Sequence, residues 1–393
     1  MSASPTHEQP ATAPDRRSAP TEGRGRAALA ITFLRLGLTA FGGPAAHIAL
    51  MQQEFVARRR WLSAADFLDL VGAASIIPGP SSTEVAIYIG YRRAGLVGLA
   101  LAGTCFILPA ALIVTAIAWA YVRFGQLPTT MCLLQGVEPV VVAIIAQALW
   151  TFGRTALKTP LLGLICLAAF VLDVVGVNPL LLLVIAGVIS ASAQARRSAE
   201  LPGIVAPLLP AAAVPALASG VSLTKLFLVF LKAGSVVFGS GYVLLAFLRG
   251  DLVEHLQWLT EKQLVDAVAV GQITPGPVFT TATFVGYVLR GPVGAVIATI
   301  GIFLPSFILV AATAPLIPRL RRSRIAGGFL DGVNVASLAL MTAVSVQLAR
   351  TAVVDAVSAG ITLVSLFLLL RFRLNSTWLI IGGALIGVAL SVR

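Results

Sequence analysis

The chain has 393 residues, 58% of them hydrophobic and 11% charged, with a net charge of +12 from 28 Lys+Arg against 16 Asp+Glu. Soluble domains carry about 25% charged residues, so a fully hydrated surface is excluded. The cations mostly flank apolar segments, where they orient helices across a bilayer. No helix-turn-helix, zinc or stacking-aromatic pattern points to nucleic acid.

Residues 1–26 are rich in Ala, Pro, Ser, Thr and Arg, with no apolar run. They are expected to be disordered and lack the apolar core of a secretory signal. Arg16, Arg17, Arg24 and Arg26 favour a cytoplasmic N-terminus. Apolar segments then recur to the end, suggesting an all-α polytopic protein of about ten to thirteen membrane segments.

The segment FLRLGLTAFGGP begins at Phe33, and FLKAGSVVFGSG begins 197 positions later at Phe230. The same offset pairs Arg35 with Lys232, Trp61-Leu62 with Trp258-Leu259 and Asp69 with Asp266. It also pairs Pro78-Gly79-Pro80 with Pro275-Gly276-Pro277. After the loss of one residue, Gly90-Tyr91 matches Gly286-Tyr287 and Leu108-Pro109 matches Leu304-Pro305. The chain is therefore read as two repeats, 27–197 and 223–393, joined by an apolar linker, 198–222, that is able to cross the membrane. Basic loops at Arg92-Arg93, Arg154/Lys158 and Arg196-Arg197 fall at positions not equivalent to those at Arg319–Arg324 and Arg371/Arg373. The charge bias predicts inverted repeats.

Each repeat contains two helix breakers. One is Phe41–Pro44, with Gly42 and Gly43, answered by Gly239 and Ser240. The other is the Pro-Gly-Pro pair. Irregular backbone at membrane depth is tolerated when it lines a cavity or is buried in protein, and a helix N-terminus there attracts anions. Ser81, Ser82 and Thr83 follow the first Pro-Gly-Pro; Thr280, Thr281 and Thr283 follow the second. Their hydroxyls can donate to an oxyanion. The alternative is that Pro-Gly-Pro merely kinks two spanning helices. Arg35 and Lys232 are the candidate cations for such a site, with snorkelling to the interface as the plainer role. Glu84, Glu138 and His47 have no counterparts in the second half. They are candidates for coupling or gating, against a structural hydrogen-bonded role. Asp69 and Asp266 could cap re-entrant helices or pair with a cation. Arg58, Arg59 and Arg60 read as a membrane-surface charge run. Cys105, Cys132 and Cys166 lack metal-ligand spacing. No catalytic or nucleotide-binding motif is present, so neither enzyme activity nor cofactor nor metal is expected. The oligomeric state is open, a homodimer included.

FLRLGLTAFGGPAAH, Glu54, Trp61-Leu62, the IIPGP/ITPGP pair and Gly136-Val137-Glu138-Pro139 together resemble the chromate ion transporter family in its long, two-domain form. The resemblance implies a secondary transporter of the inner membrane. It would export chromate, confer chromate resistance and face sulfate as a competing oxyanion. Transport of sulfate or another small anion, or an anion channel, is the alternative. The second half departs from the pattern at FGSG, where Ser240 and Gly241 replace Gly-Pro.

Overall fold

The computed structural model describes residues 22–41, 43–74, 77–124, 128–198, 221–237, 243–316, 324–372, 374 and 376–391. Among them all regular structure is helical. Gly42, Gly239, Ser240 and most of the linker lie outside the described residues.

The first repeat contains α1 (Glu22–Thr39), α2 (Gly43–Gln52) with a π-helical turn at Gln53–Arg58, and α3 (Ala64–Ala74). It continues with α4 (Ser81–Phe124), α5 (Pro128–Ala156), α6 (Pro160–Val174) and α7 (Pro179–Ser198). The second contains α8 (Leu223–Val236), α9 (Val243–Leu248) with a π-helical turn at Arg249–His255, and α10 (Glu261–Ile273). It ends with α11 (Thr281–Thr313), α12 (Arg324–Ala352), α13 (Ala356–Phe372) and α14 (Ser376–Ser391). Helix α1 begins inside the tail expected to be disordered, because Arg24, Arg26 and the alanines that follow are strong helix formers.

By length and composition, Ser81–Phe124, Gly136–Ala156, Val278–Thr313 and Gly327–Arg350 can cross a bilayer. Shorter apolar helices cover Pro160–Val174, Pro179–Ala195, Ala356–Phe372 and Trp378–Ala389. Large apolar residues stay exposed on α1 (Ile31, Leu34, Leu38) and α6 (Leu164, Leu167, Val171), giving faces suited to lipid. The protein is a two-repeat membrane protein.

The repeat extends to single hydrogen bonds. Both π-helical turns end alike: the Arg59 amide donates to Glu54 and the Leu256 amide to Asp251. Arg60 (φ +53) and Gln257 (φ +50) follow at equivalent positions as left-handed non-glycine residues. Helix α4 is two arms folded back on each other at Ala94-Gly95, and α11 does the same at Arg290-Gly291. Gly90 packs on Gly98, and Gly286 on Gly294, with no room for a side chain between the arms.

Two hairpins result in the first half. Phe33 of α1 packs against Phe55, beyond α2, with ring centroids 5.0 Å apart and the rings tilted, so these helices run back along each other from the break at Phe41. Asp66 of α3 pairs with Arg92 at the end of the first arm of α4, at 3.1 Å. That places Pro78-Gly79-Pro80 at the second hairpin's tip. Trp61 joins the two bases: it stacks on Phe55 at 5.3 Å, with the Arg59 and Arg93 guanidinium carbons 5.0 and 5.1 Å from its ring.

The two halves run in opposite directions. The second arm of α4 leaves from the first hairpin base, where Gly98 meets Gly90, and passes the centre at Ala110, beside Gly276. About 16 Å further on, at 1.5 Å per residue, Tyr121 touches Phe284 and bonds Asp266 of the second half. In return, Tyr88 of the first half bonds Thr313 near the end of α11 at 2.6 Å. One helix arm thus joins the two bases across the middle, and the repeats are inverted. The outer helices are exchanged as well: α5 packs on α14 through Gly136 and Gly383, and α12 on α7 through Gly332 and Gly187.

Candidate inter-repeat site at the broken helices

The hairpin tips of the two repeats meet. The Gly79 amide donates to the Val237 carbonyl at 2.7 Å, and the Gly276 amide donates to the Ala40 carbonyl at 2.9 Å. Val237 and Ala40 are equivalent residues, each just before its repeat's first break. The paired bonds are thus one contact made twice about a pseudo-two-fold axis. Left-handed backbone at both glycines (φ +138 and +88) turns each amide outward from its own hairpin. These two amides are therefore not free anion donors, contrary to the expectation for the Pro-Gly-Pro breaks. The prolines beside them, Pro78, Pro80, Pro275 and Pro277, carry no amide hydrogen.

The first-repeat tip is polar and buried. His47 Nε2 lies 3.0 Å from the Ala40 carbonyl, and Nδ1 lies 3.2 Å from Ser82 Oγ. A carbonyl only accepts, so Nε2 carries hydrogen; in the neutral ring Nδ1 then accepts from Ser82. Ala40 therefore receives both His47 and the second repeat's Gly276. Glu84 has no exposed surface. Its Oε1 accepts a long hydrogen bond from Ser306 of the second repeat at 3.4 Å, while its Oε2 and Thr83 Oγ1 have no partner among the described residues. Ser306 occupies the position of Ala110 in the first repeat.

The second tip differs from expectation. Thr280 donates to the Pro277 carbonyl and Thr281 to the Val278 carbonyl, each at 2.8 Å, and Thr283 pairs with Thr299 at 2.7 Å. The short 3-10 turn at Val278–Thr280 bends these carbonyls within reach of the hydroxyls. The hydrogens of Thr280 and Thr281 are thus committed to backbone, whereas the Thr83 hydroxyl at the first tip has no partner among the described residues.

The candidate cations sit elsewhere. Arg35 lines a cavity of about 440 Å³ between α1 and the α2 turn, with Thr32, Thr39, Gln53, Glu54 and Arg58. Lys232 lies 2.9 Å from both carboxylate oxygens of Asp251. Among the described residues, no hydrogen bond or ion pair joins either cation to a Pro-Gly-Pro tip. Arg58 and Arg59 are tied to Glu54 at 3.2 and 2.6 Å, so that run is partly an ion-pair network.

Glu138 and Asp266 belong to a second cluster, between α5, α10 and the second arm of α4. Tyr121 donates to Asp266 Oδ2 at 2.8 Å, and Lys262 Nζ is 3.7 Å from Glu138 Oε1. Asp266 lies within α10 and does not cap it; Thr260 does, in a capping box with Gln263. On α3, Ser63 accepts from the Asp66 amide at 3.0 Å, and Asp69 is interior to the helix. A carboxylate caps only from the residue before the first turn, and both aspartates stand too far along. No group of three or more His, Cys, Asp or Glu able to hold a metal occurs among the described residues.

Sequence reasoning missed Ser306, Tyr121 and Asp251. Asp251 had a signal: it stands 197 positions after Glu54, as Lys232 does after Arg35. Ser306 and Tyr121 had none, since each faces the opposite repeat.

The family model for chromate transporters matches the chain twice, over residues 27–191 and 224–388. The chain is 36% identical over 368 residues to the chromate transport protein of Cupriavidus metallidurans, covering 92% of each. It is 34% identical over 345 residues to a probable chromate transport protein of Synechococcus elongatus, covering 85% of this chain and 87% of the relative. Against the chromate transport protein of Pseudomonas aeruginosa it is 32% identical over 332 residues, covering 81% and 80%. No solved structure matches. With both halves matched at the spacing of the internal repeat, the chain belongs to the chromate transporter family.

Proposed function

We propose that this protein exports chromate from the cytoplasm across the inner membrane and so confers chromate resistance, with its N-terminus cytoplasmic and sulfate as a competing oxyanion. The observation that carries the reading is the reciprocal meeting of broken helices at the interface of two inverted repeats. Secondary transporters place substrate at such an interface. The first-repeat tip supplies Ser82, Thr83 and His47, and the Arg35 cavity supplies a cationic approach. Chromate and sulfate are tetrahedral dianions suited to hydroxyls and a guanidinium. An interior-negative membrane expels an anion with about 2.3 kcal/mol per charge per 100 mV, so the potential alone can drive a dianion outward. To Glu84 and the Glu138/Asp266 cluster this reading assigns proton coupling or gating.

Chromate uptake into inverted membrane vesicles tests this. Saturable uptake is expected, lowered by excess sulfate and collapsed by an ionophore that abolishes the potential. Uptake only in right-side-out vesicles would reverse the direction. Non-saturable flux, insensitive to countertransport, would favour a pore.

A further inference from the structure

Arg35 and Glu54 in the first repeat occupy the positions of Lys232 and Asp251 in the second. The two pairs are in different states. Lys232 and Asp251 are engaged at 2.9 Å, with side chains only 23% and 18% exposed. Arg35 makes no ion pair among the described residues; it lines the open cavity, and Glu54 is turned instead to Arg58 and Arg59. Exposure follows the same split. Thr39, on the cavity wall, is exposed, whereas its counterpart Val236 is 5% exposed.

The sequence supplies a reason for the difference. The second-repeat counterparts of Arg58 and Arg59 are His255 and Leu256, so the arginine pair that draws Glu54 away from Arg35 has no equivalent beside Asp251. Asp251 is left to Lys232. In the first repeat, Arg35 keeps its donors for another anion.

We propose that Arg35/Glu54 and Lys232/Asp251 are the two gates of one alternating-access cycle, with the first vestibule open and the second shut in this structure. In the opposite state Lys232 parts from Asp251 to open the equivalent vestibule, and Arg35 closes onto Glu54. A tetrahedral oxyanion takes on each cation the place that the tethered carboxylate takes when the gate is shut. Substrate therefore favours the open form of whichever gate it meets, which is the differential affinity a ligand needs to shift two states. The inference rests on the oxyanion-carrier reading for its substrate, but its test does not.

In a background with Cys105, Cys132 and Cys166 replaced, single cysteines are introduced as Thr39→Cys or Val236→Cys. A membrane-impermeant maleimide is applied to right-side-out and inverted vesicles. Thr39→Cys is expected to label fast from one face and Val236→Cys slowly from the other. Adding Asp251→Asn unlatches the second gate. Labelling at position 236 should rise about ten-fold, the equivalent of about 1.4 kcal/mol, and labelling at position 39 should fall. Unchanged labelling at both positions in well-expressed protein overturns the gates. If Asp251→Asn lowers membrane abundance, the charge swap Lys232→Asp/Asp251→Lys decides. Wild-type labelling in the swap supports the pair as a latch, and position 236 labelling as fast as position 39 overturns it. Reciprocal labelling in a protein that carries no chromate would sink the substrate and leave the gates standing.

Discussion

Replacing Gly276 by Ala tests the crossing at the centre of the molecule. Gly276 has φ +88, and an added Cβ would stand 2.7 Å from Ala110 Cβ and 3.2 Å from the Gly37 carbonyl oxygen. A side chain in left-handed backbone costs about 1–2 kcal/mol. Forcing a methyl into a packed site costs about 1–3 kcal/mol more, and displacing the amide from Ala40 forfeits about 1 kcal/mol of hydrogen bonding. Gly276→Ala should therefore destabilise by about 3–6 kcal/mol and abolish most chromate flux. The assays are thermal unfolding in detergent and flux in proteoliposomes. Adding Ala110→Gly removes the methyl that the new Cβ meets, so the double variant should recover the packing part but not the backbone strain. Gly163→Ala is the control: nothing lies within 4 Å of its Cβ position on α6, and alanine in a helix gains up to about 1 kcal/mol over glycine. A Gly276→Ala protein with wild-type melting and flux would refute the crossing.

Arg35→Ala should lower chromate uptake several-fold at unchanged membrane abundance, because it removes from the cavity wall a guanidinium with no ion pair among the described residues; wild-type uptake would take Arg35 out of the pathway. Glu84→Gln keeps the shape and an acceptor for Ser306, so the protein should fold normally, while flux should lose its dependence on pH; a pH response like that of the wild type would remove Glu84 from proton coupling. Tyr121→Phe leaves Asp266 without its hydroxyl donor, and a buried acceptor left unpaired costs about 1–3 kcal/mol, to be read as a lower unfolding midpoint. An unshifted midpoint would show that the bond adds nothing to stability.

Much of the fold was legible because it is written twice. The offset of equivalent residues located the breaks at Phe41 and Pro78, and the charge bias of the loops gave the inversion. Two matters were not legible. The first was where donors and acceptors end up: the Gly79 and Gly276 amides look free along the chain and are consumed by the opposite repeat. No local pattern encodes a partner 158 or 236 positions away, at Val237 or Ala40. The second was local backbone. The threonines after the second Pro-Gly-Pro resemble substrate donors in sequence, yet a three-residue 3-10 turn folds their hydroxyls inward. Lys232 likewise reads as a bare cation until Asp251 is brought against it. His47 and Glu84, which have no counterparts in the second half, mark the asymmetry between the halves in the sequence itself.

The exchange of outer helices bears on biosynthesis. Gly136 on α5 and Gly187 on α7 are flat faces shaped to receive Gly383 and Phe329, and neither partner has been translated when the first half leaves the ribosome. Until then the amino-terminal half lacks the protein partners of those seams. A chain truncated after residue 198 would keep them bare. These two packings are therefore completed only with the carboxy-terminal helices.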